Sequence, residues 1–171
     1  MVEEKFLLDS NSFMAPYRLY YAFDLLPSYW KQLSKRISTG RIILLDMVKN
    51  EIEKGQDDLA TWIRNEKGLV ICNHATPEII KKYQEVLQYV QNSSYYKVSA
   101  LATWSPSDIA DPWLVAAAAV NGYTIITMEV PSGGLSLKNP NKNAKIPDVA
   151  QAFGIKTKNL FYMMRELGIN I

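Results

Sequence analysis

Four short runs of leucine and β-branched residues recur along the chain, separated by stretches with helical spacing. They are KFLL (5–8), RIILL (41–45), GLVICN (68–73) and GYTIIT (122–127). Near-continuous apolar strands are what a parallel sheet covered on both faces requires, and parallel strands need crossovers long enough to hold a helix. The intervening stretches supply them. LPSYWKQLSKRI (26–37) sets Trp30, Leu33 and Ile37 on one face behind Pro27 and Ser28. MVKNEIEKG (47–55) and QDDLATWIRNEKG (56–68) follow, the second with Asp57 or Asp58 as its cap. TPEIIKKYQEVLQYVQN (76–92) has Thr76 as N-cap, Pro77 in the first turn and a stripe running from Ile79 to Val90. SDIADPWLVAAAAV (107–120) reads as an alanine-rich helix suited to close packing, and DVAQAFGI and KTKNLFYMMRELGI as two final helices. Residues 9–25 and 129–147 read as loops. One α/β domain over residues 1–171 with a mainly parallel sheet is the expectation, with ligands beyond the carboxyl ends of its strands.

Composition removes several function classes. Nineteen Lys and Arg against 17 Asp and Glu leave a net charge of +2, too little to announce a nucleic-acid binder, although a local basic groove stays open. The single cysteine, Cys72, excludes an internal disulfide framework and a Cys-rich zinc site; its apolar neighbours predict a small buried residue. His74 is the one histidine and, with no evident partner, reads as a loop residue. No apolar stretch approaches the roughly 20 residues that span a bilayer, and MVEEKFLLD is too acidic and too short in its apolar run for a signal peptide. A cytoplasmic protein that engages no membrane is expected.

The chemistry is carried by acids at strand ends and helix starts. Asp9 follows FLL, Glu129 follows TIITM, Asp111 precedes Pro112 and Trp113, and Glu51 lies one turn into the helix after RIILL. Taken singly, each has an ordinary reading. Asp9 suits a cap or Asx-turn, a phosphorylatable aspartate or a metal ligand. Glu51 suits a solvated face, Asp108 and Asp111 suit a helix N-terminus, and Glu129 suits an exposed strand end. Together, such carboxylates repel unless a cation holds them, and Mg²⁺ or Mn²⁺ takes oxygen ligands of this kind. Metal-assisted phosphodiester hydrolysis has that requirement: one ion acidifies a water and a second stabilises the leaving oxygen. A haloacid-dehalogenase-type phosphatase needs a second aspartate where Asn11 stands, and the acid order does not fit a response-regulator receiver. There is no GxxxxGK[ST] and no GxGxxG.

LLDSN, VKNEI, ADPWLVAAA and TIITME occur in the order of the PIN-like nuclease domains, which the chain resembles. YAFDLLPSYW (21–30), DDLATW (57–62) and KIPDVAQAFGI (145–155) extend the likeness to one PIN-like subfamily over nearly the whole chain. The resemblance implies a three-layer α/β/α fold and a Mg²⁺- or Mn²⁺-dependent endoribonuclease. It carries the metal-binding and catalytic roles onto Asp9, Glu51, Asp111 and Glu129, with Ser10 and Asn11 supporting Asp9. The V-x-x-E match selects Glu51 over Glu53, and Glu129 stands where the family usually has Asp. Asp108 is an extra candidate ligand, and Asp148 a further one or a helix-start residue. Likeness to VapC-type toxins implies the toxin half of a toxin–antitoxin pair, with a small antitoxin partner and a homodimer. A non-catalytic binding module and a DNA nuclease are the alternatives.

Substrate features are fewer. Lys138, Lys142, Lys145, Lys156 and Lys158 suit either a phosphate track or solvated faces. Tyr17, Arg18, Tyr20 and Tyr21 suit either base stacking or packing.

Overall fold

The computed structural model describes residues 3–171, and all five strands form one parallel sheet in the order β3-β2-β1-β4-β5. The strands are β1 (Phe6–Leu8), β2 (Ile42–Leu45), β3 (Val70–Cys72), β4 (Thr124–Ile126) and β5 (Thr157–Lys158). Every residue of β1, β2 and β4 is buried, which is why these runs are apolar without alternation. Edge strand β3 leaves Val70 and Ile71 about two-fifths exposed. β5 was not expected: two polar residues inside KTKNLFYMMRELGI pair with Ile125 and Ile126, and only α9 (Leu160–Glu166) remains of that predicted helix.

Helices cover both faces, giving the expected three-layer α/β/α arrangement. On one side, α2 (Pro27–Ile37) and α4 (Asp58–Asn65) close an aromatic cluster with the segment after β1. Phe23 stacks on Trp30 at 4.3 Å, Trp62 meets Trp30 edge-on at 4.9 Å, and the Trp30 indole N–H donates to the Tyr21 carbonyl at 2.6 Å. Burial of this kind is worth a few kcal/mol per ring. The YAFDLLPSYW and DDLATW motifs are therefore packing motifs. α3 (Asp46–Lys54) lies beside α4.

On the other side, α5 (Pro77–Asn92) packs along α7 (Asp111–Asn121), which in turn touches α8 (Ile146–Ala152). Ala116, Ala117 and Ala118 are fully buried, so small side chains let α7 sit close to its neighbours. α7 ends on Gly122 at φ 71°, a left-handed conformation that needs glycine. The loop expected over residues 9–25 contains helix: α1 (Asn11–Ala15) and a π-helical turn (Pro16–Tyr20) follow β1. α6 (Val98–Trp104), in a stretch to which the sequence assigned no element, follows α5. No helix among the described residues is long and apolar enough to cross a membrane.

Candidate functional site

The chain runs outward from β1 through β2 to β3, then jumps back across β1 to β4, so the strand order reverses between β1 and β4. In doubly wound sheets the ligand crevice opens beyond the carboxyl ends at that reversal. Asp9 stands there. Its N–H donates to the Ile126 carbonyl at 2.9 Å, continuing the β1–β4 ladder one residue past Leu8 and fixing the backbone. Its side chain is 6% exposed and accepts from the Thr127 hydroxyl at 3.2 Å, with the Ser10 hydroxyl at 3.5 Å on the other oxygen. Thr127 also accepts the Glu129 N–H at 3.1 Å, so one hydroxyl ties the first and fourth acids together. The Ser12 hydroxyl donates to the Ile126 carbonyl at 3.0 Å and anchors α1 to β4. Glu129 accepts the Ile146 N–H at 2.7 Å, at the start of α8.

Asp111 is the first residue of α7, where the positive end of a helix ordinarily favours an anion. Its pKa is nevertheless pushed up to about 7, first by burial and then by the charges of Asp9, Glu129 and Glu51. Asp9 is raised to about 6 by burial, against the Thr127 hydrogen bond, with Glu129 and Glu51 raising it further. The charges of Glu51 and Glu129 thus bear on both aspartates, and at Asp111 dehydration plus like charge outweighs the helix end. Glu51 is the exposed member, on α3, whereas Glu53 pairs with Lys49.

The donor set is all oxygen and carries excess negative charge, which suits a hard divalent ion. Among the described residues, no three His, Cys, Asp or Glu side chains sit close enough to ligate one ion directly. A Mg²⁺ or Mn²⁺ ion at this point would have one or two carboxylates as direct ligands, with waters completing its shell.

Residues 6–171 match the family described as Domain of unknown function (DUF4411). The chain belongs to that family. No curated protein matches it. In this DUF4411 chain the KIPDVAQAFGI stretch holds the fourth acid in place. Ile146 supplies the N–H that Glu129 accepts, and Asp148, 8% exposed, accepts the Ser132 N–H at 3.2 Å together with the Ser132 hydroxyl. Asp148 is thus a clamp on the segment after β4. Asp148→Ala is expected to lower unfolding free energy by about 1–3 kcal/mol, read by urea denaturation, because the Ser132 donors lose their partner.

Other sequence candidates fall differently. The helix expected from Ser107 begins only at Asp111; Ile109 closes a turn on the Pro106 carbonyl, and Asp108 lies in that exposed turn. Asp108 is not among the charges that raise Asp9 or Asp111. Asn11 is exposed at the start of α1, so Ser10 and Thr127 are the side chains in contact with Asp9. Thr127 was missed as a contributor, although the T-x-E spacing in TIITME was the signal for it.

His74 is not unpartnered. Its Nδ1 lies 2.8 Å from Asp46 Oδ2, its N–H donates to Asp46 Oδ1 at 3.3 Å, and its ring meets Trp113 edge-on at 4.9 Å. Cys72 is half-buried rather than enclosed, and burial with the Asp46 charge pushes its thiol up, so it stays protonated and inert. Lys156 turns to Glu4 at the opposite end of the sheet.

Proposed function

We propose that the chain is a Mg²⁺- or Mn²⁺-dependent ribonuclease that hydrolyses RNA phosphodiesters, with Asp9, Glu51, Asp111 and Glu129 holding the ion. The observation that carries this reading is the gathering of carboxylates at the strand-order reversal, where burial first and the charges of neighbouring acids second raise the pKa values of Asp9 and Asp111. Such a crevice is destabilising when empty of cations and becomes favourable around a divalent ion. A bound ion would supply Lewis-acid stabilisation of phosphoryl oxygens and acidify a water.

The side chains divide the remaining tasks. Asp9, held by the ladder and by Thr127, is the rigid reference point. Glu129 commits one oxygen to the Ile146 N–H, which fixes its carboxylate beside the start of α8. Asp111 enters from α7, and exposed Glu51 closes the site from α3. Their role is to hold charge in position, so no protein nucleophile is required.

The likeness to PIN-like domains supports RNA as substrate. The toxin role, the antitoxin partner, the homodimer and a cytoplasmic setting rest on that likeness alone. The test is cleavage of matched single-stranded RNA and DNA oligonucleotides with Mn²⁺, Mg²⁺ or EDTA, alongside thermal melting. Metal-dependent RNA cleavage and a metal-dependent rise in Tm are expected. Absence of both withdraws the nuclease reading in favour of a binding module, and cleavage of DNA alone replaces the substrate.

A further inference from the structure

A groove of about 1140 Å³ opens directly beside the acid crevice, sharing Thr127 and Glu129 with it. Its other walls are the π-helical turn after α1 and the stretch from β5 into α9. The groove exceeds the ~300–1,000 Å³ typical of small-molecule sites, which suits an extended chain. Tyr20 and Phe161 line it and are 60% and 54% exposed. Single exposed aromatics are unremarkable on a protein surface, but here two share one concavity.

The charge along the groove is as informative as its apolar walls. Lys158 and Arg165 are its cations, and Glu129, at the crevice end, is the one acid in its lining among the described residues. Tyr162 is held from behind: its hydroxyl donates to Glu4 at 3.0 Å and accepts from Lys156 at 2.7 Å. Lys158 lies over the Tyr162 ring at 5.2 Å, a cation–π contact that places its ammonium at the groove wall. Aromatic faces interleaved with cations, leading away from a carboxylate site, match the backbone and bases of an unpaired strand. A duplex cannot use them, because its bases are already stacked on each other.

We propose that this groove binds a short run of unpaired nucleotides on one side of the cleaved bond. Bases stack on Tyr20 and Phe161, and phosphates pair with Lys158 and Arg165. Taking the strand to be the substrate rests on the nuclease reading above, and the groove makes the protein selective for single-stranded nucleic acid.

The test is fluorescence anisotropy of a fluorescein-labelled, internally unpaired RNA oligonucleotide long enough to form a stable duplex, presented as a single strand and annealed to its complement, in EDTA so that no cleavage occurs. Wild type is expected to bind the single strand at least tenfold more tightly. Tyr20→Ala and Phe161→Ala, both at exposed positions, should weaken binding about 5- to 150-fold each. The Lys158→Ala/Arg165→Ala double variant should reduce the slope of log K against log salt by about 1.4. Thermal melting checks that each variant is folded. Equal affinity for duplex, unchanged affinity in the two aromatic variants, or binding of proline-rich peptides in place of RNA would overturn the proposal. Strand binding without metal-dependent cleavage leaves it standing and removes the nuclease reading. Cleavage whose KM and strand preference ignore the groove variants does the reverse.

Discussion

Asp9→Asn and Asp111→Asn are each expected to reduce Mn²⁺-dependent RNA cleavage by on the order of 10³-fold, while leaving the metal-free protein at pH 8 as stable as wild type or more so. The first half follows from the several kcal/mol that a correctly held ion contributes to transition-state charge stabilisation, at about 1.4 kcal/mol per factor of ten. The second half distinguishes a charge-holding site from a structural one. An aspartate that caps a helix or closes a turn stabilises the fold, and replacing it costs stability. Asp9 and Asp111 instead stand in a crevice where burial and the neighbouring carboxylates disfavour their charged forms. Neutral Asn removes that repulsion and can still accept the Thr127 hydroxyl at position 9. Rates within tenfold of wild type, or a large loss of Tm in the metal-free variants, would count against these roles.

Metal-free wild type should lose stability as pH rises from about 4 to about 7, and added Mn²⁺ should restore it most strongly above pH 6. An aspartate ordinarily ionises near 3.8, and in the folded chain Asp9 is pushed up to about 6 and Asp111 to about 7. Between those limits the folded state binds more protons than the unfolded state, so unfolding free energy falls as pH increases. The favourable contribution is complete below pH 4 and gone above pH 7. For a group displaced this far it amounts to on the order of 3 kcal/mol, shared between the two where their repulsion is mutual. Urea denaturation across pH 4–8 in EDTA gives the curve, and the difference between wild type and Asp111→Asn isolates the site from other titrating groups. A wild-type curve parallel to that of Asp111→Asn would show that residue 111 carries no such displacement. Metal competes with protons for the same oxygens, so the Mn²⁺-induced rise in Tm should fade below pH 5.

What the sequence made legible follows from how local each signal is. β1, β2 and β4 are strands buried on both faces, so their leucines and isoleucines announce them without any knowledge of neighbours. The Thr76 cap, with its hydroxyl accepting the Ile79 N–H, is local in the same sense. β5 was invisible because Thr157 and Lys158 are polar and become a strand only through the edge that β4 offers. α6 was missed because VSALATW is only seven residues long and buries just Ala100 and Trp104, too few positions to make an apolar stripe.

The acids divide along the same line. Asp9 and Glu129 could be placed because each follows a strand whose direction is readable. Asp108 was drawn into the helix by a spacing that the Pro106 turn interrupts. The pairing of His74 with Asp46 crosses 28 residues and depends on β2 and β3 lying side by side, which no local pattern states.

The bonds from Glu129 to Ile146 and from Asp148 to Ser132 close the segment after β4 at its base, as two stitches hold the mouth of a bag. Farther along, Asn141 is bonded to Tyr95 and Lys97, and the tip around Ser136–Asn139 is exposed to solvent. Forces on that tip end at the stitches before they reach the crevice. It is therefore a graft point, where an epitope, a fluorophore or a whole inserted domain can be carried at little cost in loop-closure entropy, leaving the four acids undisturbed.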